Sequence, residues 1–330
     1  MKSGSNTPPQ APPSLAACVL LAGGPRPSPL AQETGCSVLD LTLTPTRTVL
    51  GVWIERLTEL CPLSGPRLEV RIVHDERTPE PIVVSDPGPL EVRIDREQRS
   101  YRGPAGITRD ECADLDENDR VLVVEAGRLA GCSLRPLLMD HARTGADVTI
   151  GANPDGSTSG IYVVRVGSLS LVPKNGFMDL KEQWLQKALS AGLDLRVHRF
   201  PEPGVISLRT REQFLGAARR LNGFSDPMQS ITEWPDASES GGGDDRSVLA
   251  RTSTIAPGAV VLDSVVMDHA TIAAGAVVVR SLVCPRAVVG PDELVVDGFV
   301  SRNGVGLSVG KGILTRLGRD SSRSGDGQAG

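Results

Sequence analysis

From about Thr252 to Val296 the chain repeats a motif of roughly six residues. The copies are Ile255-Ala-Pro-Gly-Ala-Val, Val260-Val-Leu-Asp-Ser-Val, Ile272-Ala-Ala-Gly-Ala-Val and Val288-Val-Gly-Pro. Each supplies an aliphatic residue, then small residues, then Gly or Asp. Six residues per side and three sides per coil bury a stack of aliphatics while small residues permit tight corners. The segment therefore predicts a parallel β-helix of roughly two to three coils. A Val-rich antiparallel hairpin domain is the other fold this pattern allows.

Upstream the texture differs. Leu15-Ala-Ala-Cys-Val-Leu-Leu-Ala22 is a short apolar run ending at Gly23-Gly24, as a fully buried strand feeding a glycine loop would be. Val49, Val52, Trp53, Leu57 and Leu60 follow at helical spacing. Leu68 to Val73, Pro81 to Val84 and Val121 to Val124 read as strands, and Ser133 to Arg143 as an amphipathic helix. Val148 to Ile150 and Ile161 to Val164 are strands around a turn-rich loop, Asn153 to Ser159. Asp179 to Ala191 reads as a helix, Leu195 to Phe200 as a strand, and Thr210 to Leu221 as a helix capped by Thr210. This alternation predicts a mostly parallel α/β sheet with helices on both faces. The expected organisation is a disordered leader (1–14), an α/β domain (15–222), a Ser-, Asp-, Pro- and Gly-rich linker (223–251), the β-helix (252–300) and a largely disordered tail (301–330).

Composition narrows the function classes. Aromatic residues make up 3% of the chain, so Val, Leu, Ile and Ala must fill the core. A net charge of -5 gives no footprint for nucleic acid, which a phosphate-tracking protein would bind with concentrated Lys and Arg. The six cysteines form no CxxC pair and do not cluster with the four histidines, which argues against a structural zinc site and for a reducing, cytoplasmic setting. Leu15-Ala-Ala-Cys18 looks like a lipoprotein cleavage box, but Pro-, Ser- and Asn-rich sequence precedes it where an apolar core belongs. No apolar run approaches the roughly 18 residues of a membrane span, so no membrane partner is expected.

Six fragments, in order, resemble the sugar-phosphate nucleotidyltransferases. These are nucleotide-sugar pyrophosphorylases such as the mannose-1-phosphate guanylyltransferases, which join a nucleotidyltransferase domain to a left-handed β-helix. The fragments are Ala17-Cys-Val-Leu-Leu-Ala-Gly-Gly24 with Pro29-Leu30; Gly103-Pro-Ala-Gly-Ile107; Val121-Leu-Val-Val124; Gly145-Ala-Asp-Val-Thr149; Ser159-Gly-Ile-Tyr-Val-Val164; and Ile206 to Leu215. The resemblance implies a nucleotide site around Gly23, Gly24, Gly103 and Gly106, a sugar site around Ser159 and Gly160, and a divalent metal, Mg²⁺, if the chain is active.

In-line attack of one polyanion on another needs N–H donors, cations and a metal held by carboxylates. Set against the family pattern, those groups are largely missing. Gly24-Pro-Arg-Pro-Ser-Pro29 is short and replaces N–H donors with prolines, leaving Arg26 as its cation. The family's lysine falls at Cys36. Its two metal aspartates fall at Gly127 and Ser207, with Glu125 the nearest carboxylate. Its Glu-Lys sugar-phosphate segment is absent between Ile150 and Gly160.

Three functional readings follow. The first is a catalytically impaired nucleotide- or sugar-phosphate-binding, regulatory or scaffolding subunit of nucleotide-sugar or surface-polysaccharide metabolism. The second is an active pyrophosphorylase with a rearranged site built on Glu125 and Arg26. The third is a hexapeptide acyltransferase using His269 as base. Coil ends and flat aliphatic faces further imply a homo-oligomer, provisionally a dimer.

Overall fold

The computed structural model describes residues 14–23, 27–62, 66–82, 87–97, 101–223, 242–244, 246–302 and 304–307. The α/β part opens with β1 (Ala17–Leu21), helix α1 (Pro29–Thr34), a small hairpin of β2 (Thr42–Thr44) and β3 (Arg47–Thr48), and helix α2 (Val49–Thr58). Strands β4 (Leu68–His74) and β5 (Leu90–Arg96) and helix α3 (Gly103–Glu111) come next. They lead to β6 (Arg120–Glu125), β7 (Arg128–Ala130), α4 (Arg135–Thr144), β8 (Val148–Ala152) and β9 (Thr158–Arg165). A π-helical turn (Leu180–Trp184) runs into α5 (Leu185–Ser190), followed by β10 (Leu195–Arg199), β11 (Val205–Ser207) and α6 (Arg211–Leu221).

Seven of these strands form one sheet in the order β10-β8-β9-β6-β1-β4-β5. All neighbours are parallel except β9, which runs antiparallel to both β6 and β8. The central strands are apolar on both faces because both faces are covered. Cys18, Leu20, Leu122 and Val124 pack with α2, α4 and α6, while Ala17, Val19, Val121 and Val123 pack with α3 and the Leu180–Leu185 turn. Trp53, Trp184 and Tyr162 are buried in the core.

Some elements depart from the sequence reading. Pro81 and Ile82 are not strand, and residues 83–86 lie outside the described residues. The edge strand is instead Leu90–Arg96, whose Glu, Arg and Asp positions hide it from a hydrophobicity search. His141, on α4, is 1% exposed, and its Nδ1 lies 2.9 Å from the Thr149 hydroxyl. Burial, with the charges of Arg120 and Arg165, pushes its pKa down to about 4.

The C-terminal part is a parallel β-helix of three sheets. One stacks Gly242–Gly243, Val260–Leu262, Val277–Val279 and Leu294–Val296; the second stacks Val248–Leu249, Val265–Val266, Leu282–Val283 and Gly298–Ser301; the third stacks Thr254–Ile255, Thr271–Ile272 and Val288–Val289. The strand Gly304–Leu307 closes it as an antiparallel hairpin on Gly298–Ser301. The coil is not built from three equal sides. Val260 lies beside Val277 and Val277 beside Leu294, a step of 17 residues, because one side of these coils has five residues rather than six; the first pairing, Gly242 beside Val260, spans 18. The short corner uses positive φ at Asp263, Arg280 and Asp297 and a column of serines. The Ser281 N–H donates to the Ser264 hydroxyl (3.0 Å), and the Gly298 N–H donates to the Ser281 hydroxyl (3.1 Å).

This β-helix packs directly on the α/β part, and residues 224–241 of the expected linker lie outside the described residues. Val248, Val265, Met267 and Leu282 belong to the same apolar cluster as Leu41, Leu43 and Trp53. Polar bonds frame the seam. Arg219 donates through Nε to Asp263 at 2.6 Å, the Thr42 hydroxyl to Asp268 at 2.8 Å, and the Arg251 N–H to the Pro45 carbonyl at 3.0 Å. Among the described residues no helix is long and apolar enough to cross a membrane.

Candidate functional site

The chain order reverses between β1 and β6. From β1 it steps outward through β4 to β5, then returns to the other side of β1 with β6. In an open α/β sheet such a reversal leaves a crevice at the carboxyl ends of the two strands, where loops diverge to opposite faces. That crevice is bounded by Ala22 and Gly23 after β1 and by Glu125 to Arg128 after β6.

The β1 side is largely spent on structure. The N–H groups of Ala22 and Gly23 both donate to the Val73 carbonyl, at 2.8 and 3.2 Å, and Ala126 N–H donates to Leu21 O at 2.9 Å. A Cβ on Gly23 would fall 2.6 Å from the backbone nitrogen of Asp75, so close approach to β4 explains the glycine. Gly24 and Arg26 lie outside the described residues. Beyond Asp75 an open cleft of about 400 Å³ runs along the carboxyl ends of β4 and β5, lined by His74, Asp75, Glu76, Glu80, Ile94 and Arg96 among others. Carboxylates outnumber cations there, which does not favour phosphate.

The β6 side carries a compact polar group. β7 pairs antiparallel with β11 so that Arg128 lies opposite Ser207, and the Leu208 N–H donates to the Gly127 carbonyl at 2.8 Å. The two positions where the resemblance implies metal-binding aspartates, Gly127 and Ser207, are thus neighbours in space. Neither carries a carboxylate. The Ser207 hydroxyl donates to Gln213 Oε1 at 2.9 Å, and the same oxygen accepts the Arg209 N–H at 3.1 Å. The Arg209 stem crosses Gly127, its Cγ 3.8 Å from where a Cβ there would stand. Glu125, 39% exposed at its side chain, is bound by Arg128 Nε at 3.4 Å. Trp53 Nε1 donates to the Arg128 carbonyl at 3.1 Å and fixes the turn from beneath.

Gly160, on β9, faces this group. Its φ is +76°, and a Cβ there would lie 2.9 Å from Glu125 Oε2 and 3.0 Å from Arg128 Cγ. Ser159 is fully buried, its hydroxyl donating to the Gly151 carbonyl and accepting the Ile161 N–H. Next along β9, Tyr162 is buried with its hydroxyl lacking a hydrogen-bond partner among the described residues. Burial raises its pKa, reinforced by the charges of Glu125 and Asp179.

The remaining sequence candidates lie elsewhere. Gly103 and Gly106 open α3; Gly103 holds φ +69° with the Met178 carbonyl 2.7 Å from its absent Cβ, and Gly106 packs on Arg102. Cys36 follows α1, which touches strand Gly298–Ser301 of the β-helix. Its thiol is pushed up mainly by burial and by Asp40, with Arg302 opposing. His269 stands exposed at a positive-φ corner of the β-helix. Arg128, Arg209 and Gln213 were not anticipated. Their signal was positional, since each flanks a residue that replaces a family aspartate or follows the strand that carries it.

The donor set can be tested against Mg²⁺. That ion demands near-octahedral oxygen ligation, usually anchored on carboxylates. Among the described residues there is no group of three or more His, Cys, Asp and Glu able to hold a metal. On the β6 side the Glu125 carboxylate is already bound to the Arg128 guanidinium, and across the crevice the Asp75 carboxylate, packed against Gly23, accepts the N–H groups of Arg77 and Thr78. These residues do not fit the metal.

No protein-family profile matches the chain, and no curated protein matches it. Among solved structures, a Bacillus anthracis chain described as a glucose-1-phosphate thymidylyltransferase in complex with a sucrose aligns at a TM-score of 0.49 and 16% identity, covering 64% of this chain and 98% of that one.

Proposed function

We propose that this chain is a sugar-phosphate nucleotidyltransferase-like protein that has lost the pyrophosphorylase reaction. It keeps the crevice between β1 and β6 as a site for a nucleotide or sugar phosphate, and serves as a regulatory or scaffolding subunit of nucleotide-sugar or surface-polysaccharide metabolism. One observation carries the reading: Gly127 and Ser207 sit side by side at the switch point, and neither brings a carboxylate. In-line transfer at a phosphorus depends on charge neutralisation at the reacting oxygens, and the described residues offer no ligand set for the metal that would supply it.

The test is pyrophosphate release from each nucleoside triphosphate with mannose-1-phosphate or glucose-1-phosphate and Mg²⁺. No release above the protein-free rate is expected. Turnover that disappears in Glu125→Ala would establish the rearranged-site enzyme instead.

The reading includes self-association through the β-helix. Val288 and Leu294, 63% and 53% exposed, are large apolar side chains on its last coil, away from the seam with the α/β part. Removing the β-helix would strip the cover from Leu41 and Leu43, so the suitable perturbation is Val288→Asp with Leu294→Asp. Light scattering should show a smaller particle with unchanged circular dichroism. An unchanged mass would refute assembly through this face.

A further inference from the structure

The misfit between crevice and Mg²⁺ has a chemical complement, because the positions around the lost aspartates are not merely neutral. Arg128 and Arg209 flank Gly127 and Ser207 in sequence and, through the β7–β11 pairing, in space. Arg209 is exposed, its stem over Gly127, and among the described residues its guanidinium has no ion pair. Arg128 is bound to Glu125 at 3.4 Å, a loose pair. Gly160, having no Cβ, lets Glu125 and the Arg128 stem pack directly against β9.

A metal in such a site holds phosphate oxygens by charge. A guanidinium offers the same charge with directional donors, often two parallel bonds to one phosphate. We infer that Arg128 and Arg209 take over the cation's binding role, so that this crevice holds a diphosphate-bearing ligand, a nucleoside diphosphate or its sugar ester, without a divalent metal. This rests on the binding site proposed above and deepens it. Metal-free binding also separates recognition from turnover. A guanidinium anchors the diphosphate, whereas a divalent ion, if held, would supply the charge neutralisation that transfer at phosphorus needs.

The experiment is calorimetric titration of the full chain with ADP, GDP, UDP, dTDP and inorganic pyrophosphate, each in MgCl₂ and in EDTA. At least one probe should bind with an affinity that differs by less than about threefold between the two conditions, and Arg209→Ala should weaken it about tenfold. Arg209→Lys should recover part of the loss, and Arg128→Gln should weaken binding comparably, with thermal melts showing that both variants fold. Binding that collapses in EDTA would overturn the inference while leaving the crevice as a nucleotide site. Metal-independent binding untouched in Arg209→Ala and Arg128→Gln would place the anion elsewhere and overturn it too. Failure of every probe in both conditions would remove the inference together with the binding reading.

Discussion

Replacing His141 with Asn should change how the protein responds to acid in a way that can be worked out beforehand. His141 is sealed between α4 and the sheet, its ring against the Thr149 hydroxyl. Its pKa falls from 6.5 to about 4, first through burial and then through Arg120 and Arg165. The folded state thus prefers the neutral ring, while the unfolded chain takes up a proton near pH 6.5. Stability from this group is complete above pH 6.5, is lost as pH falls towards 4, and falls no further once the folded ring also protonates. At about 1.4 kcal/mol per pH unit, the whole loss is about 3 kcal/mol. Urea unfolding at a series of pH values measures it. Other titrating groups contribute equally to both proteins, so the difference between the stability curves isolates His141. The gap should close by about 3 kcal/mol between pH 7 and pH 4, with His141→Asn less stable at pH 7 because it packs less well. Parallel curves would show that the ring is not held neutral and would refute the reasoning.

Two further perturbations test the seam and the crevice. Asp263→Ala strands the Arg219 guanidinium, whose side chain is 24% exposed, and should cost about 2–4 kcal/mol, with the Arg219→Ala, Asp263→Ala double variant recovering part of it in a double-mutant cycle. Full additivity would mean that the pair contributes nothing to docking. Gly160→Ala should lower stability by about 1–3 kcal/mol. It should cost more than Gly156→Ala, which has a similar φ of +84° but nothing within 4 Å of the added methyl; equal melting temperatures would show that the Glu125 contact yields freely.

How much of this was legible in the sequence depends on where the physical signal lies. Val121 to Val124 is apolar without alternation, rich in β-branched residues and framed by charged ones, as a short strand buried on both faces would be. Thr210 preceding Arg211–Leu221 announced its helix through a side chain that accepts the Gln213 N–H, as an N-cap must. Leu90–Arg96 stayed hidden because an edge strand has no second neighbour to demand apolar residues. The aliphatic repeat revealed the β-helix but not its short side. The short side differs from the other two by one residue at a corner turned by Asp263, Arg280 and Asp297, and those residues read as polar surface. The crevice was half legible. Gly127 and Ser207 could be aligned, but their adjacency comes from pairing between β7 and β11, two three-residue strands too short to announce themselves.

The serine column has a consequence for how such a chain can change length. Each coil hands a hydroxyl to the N–H of the next at a fixed step of 17 residues, and each interior aliphatic sits over its counterpart one coil away. A deletion or insertion of one residue within a strand would turn its later inward residues outward, and one between two bridged serines would break the bridge that spans it. A deletion of 17 residues between the seam and the closing hairpin would leave inside and outside unchanged. Along the serine column the β-helix is therefore a ruler graduated in coils, and its outer face moves away from the crevice by whole coils.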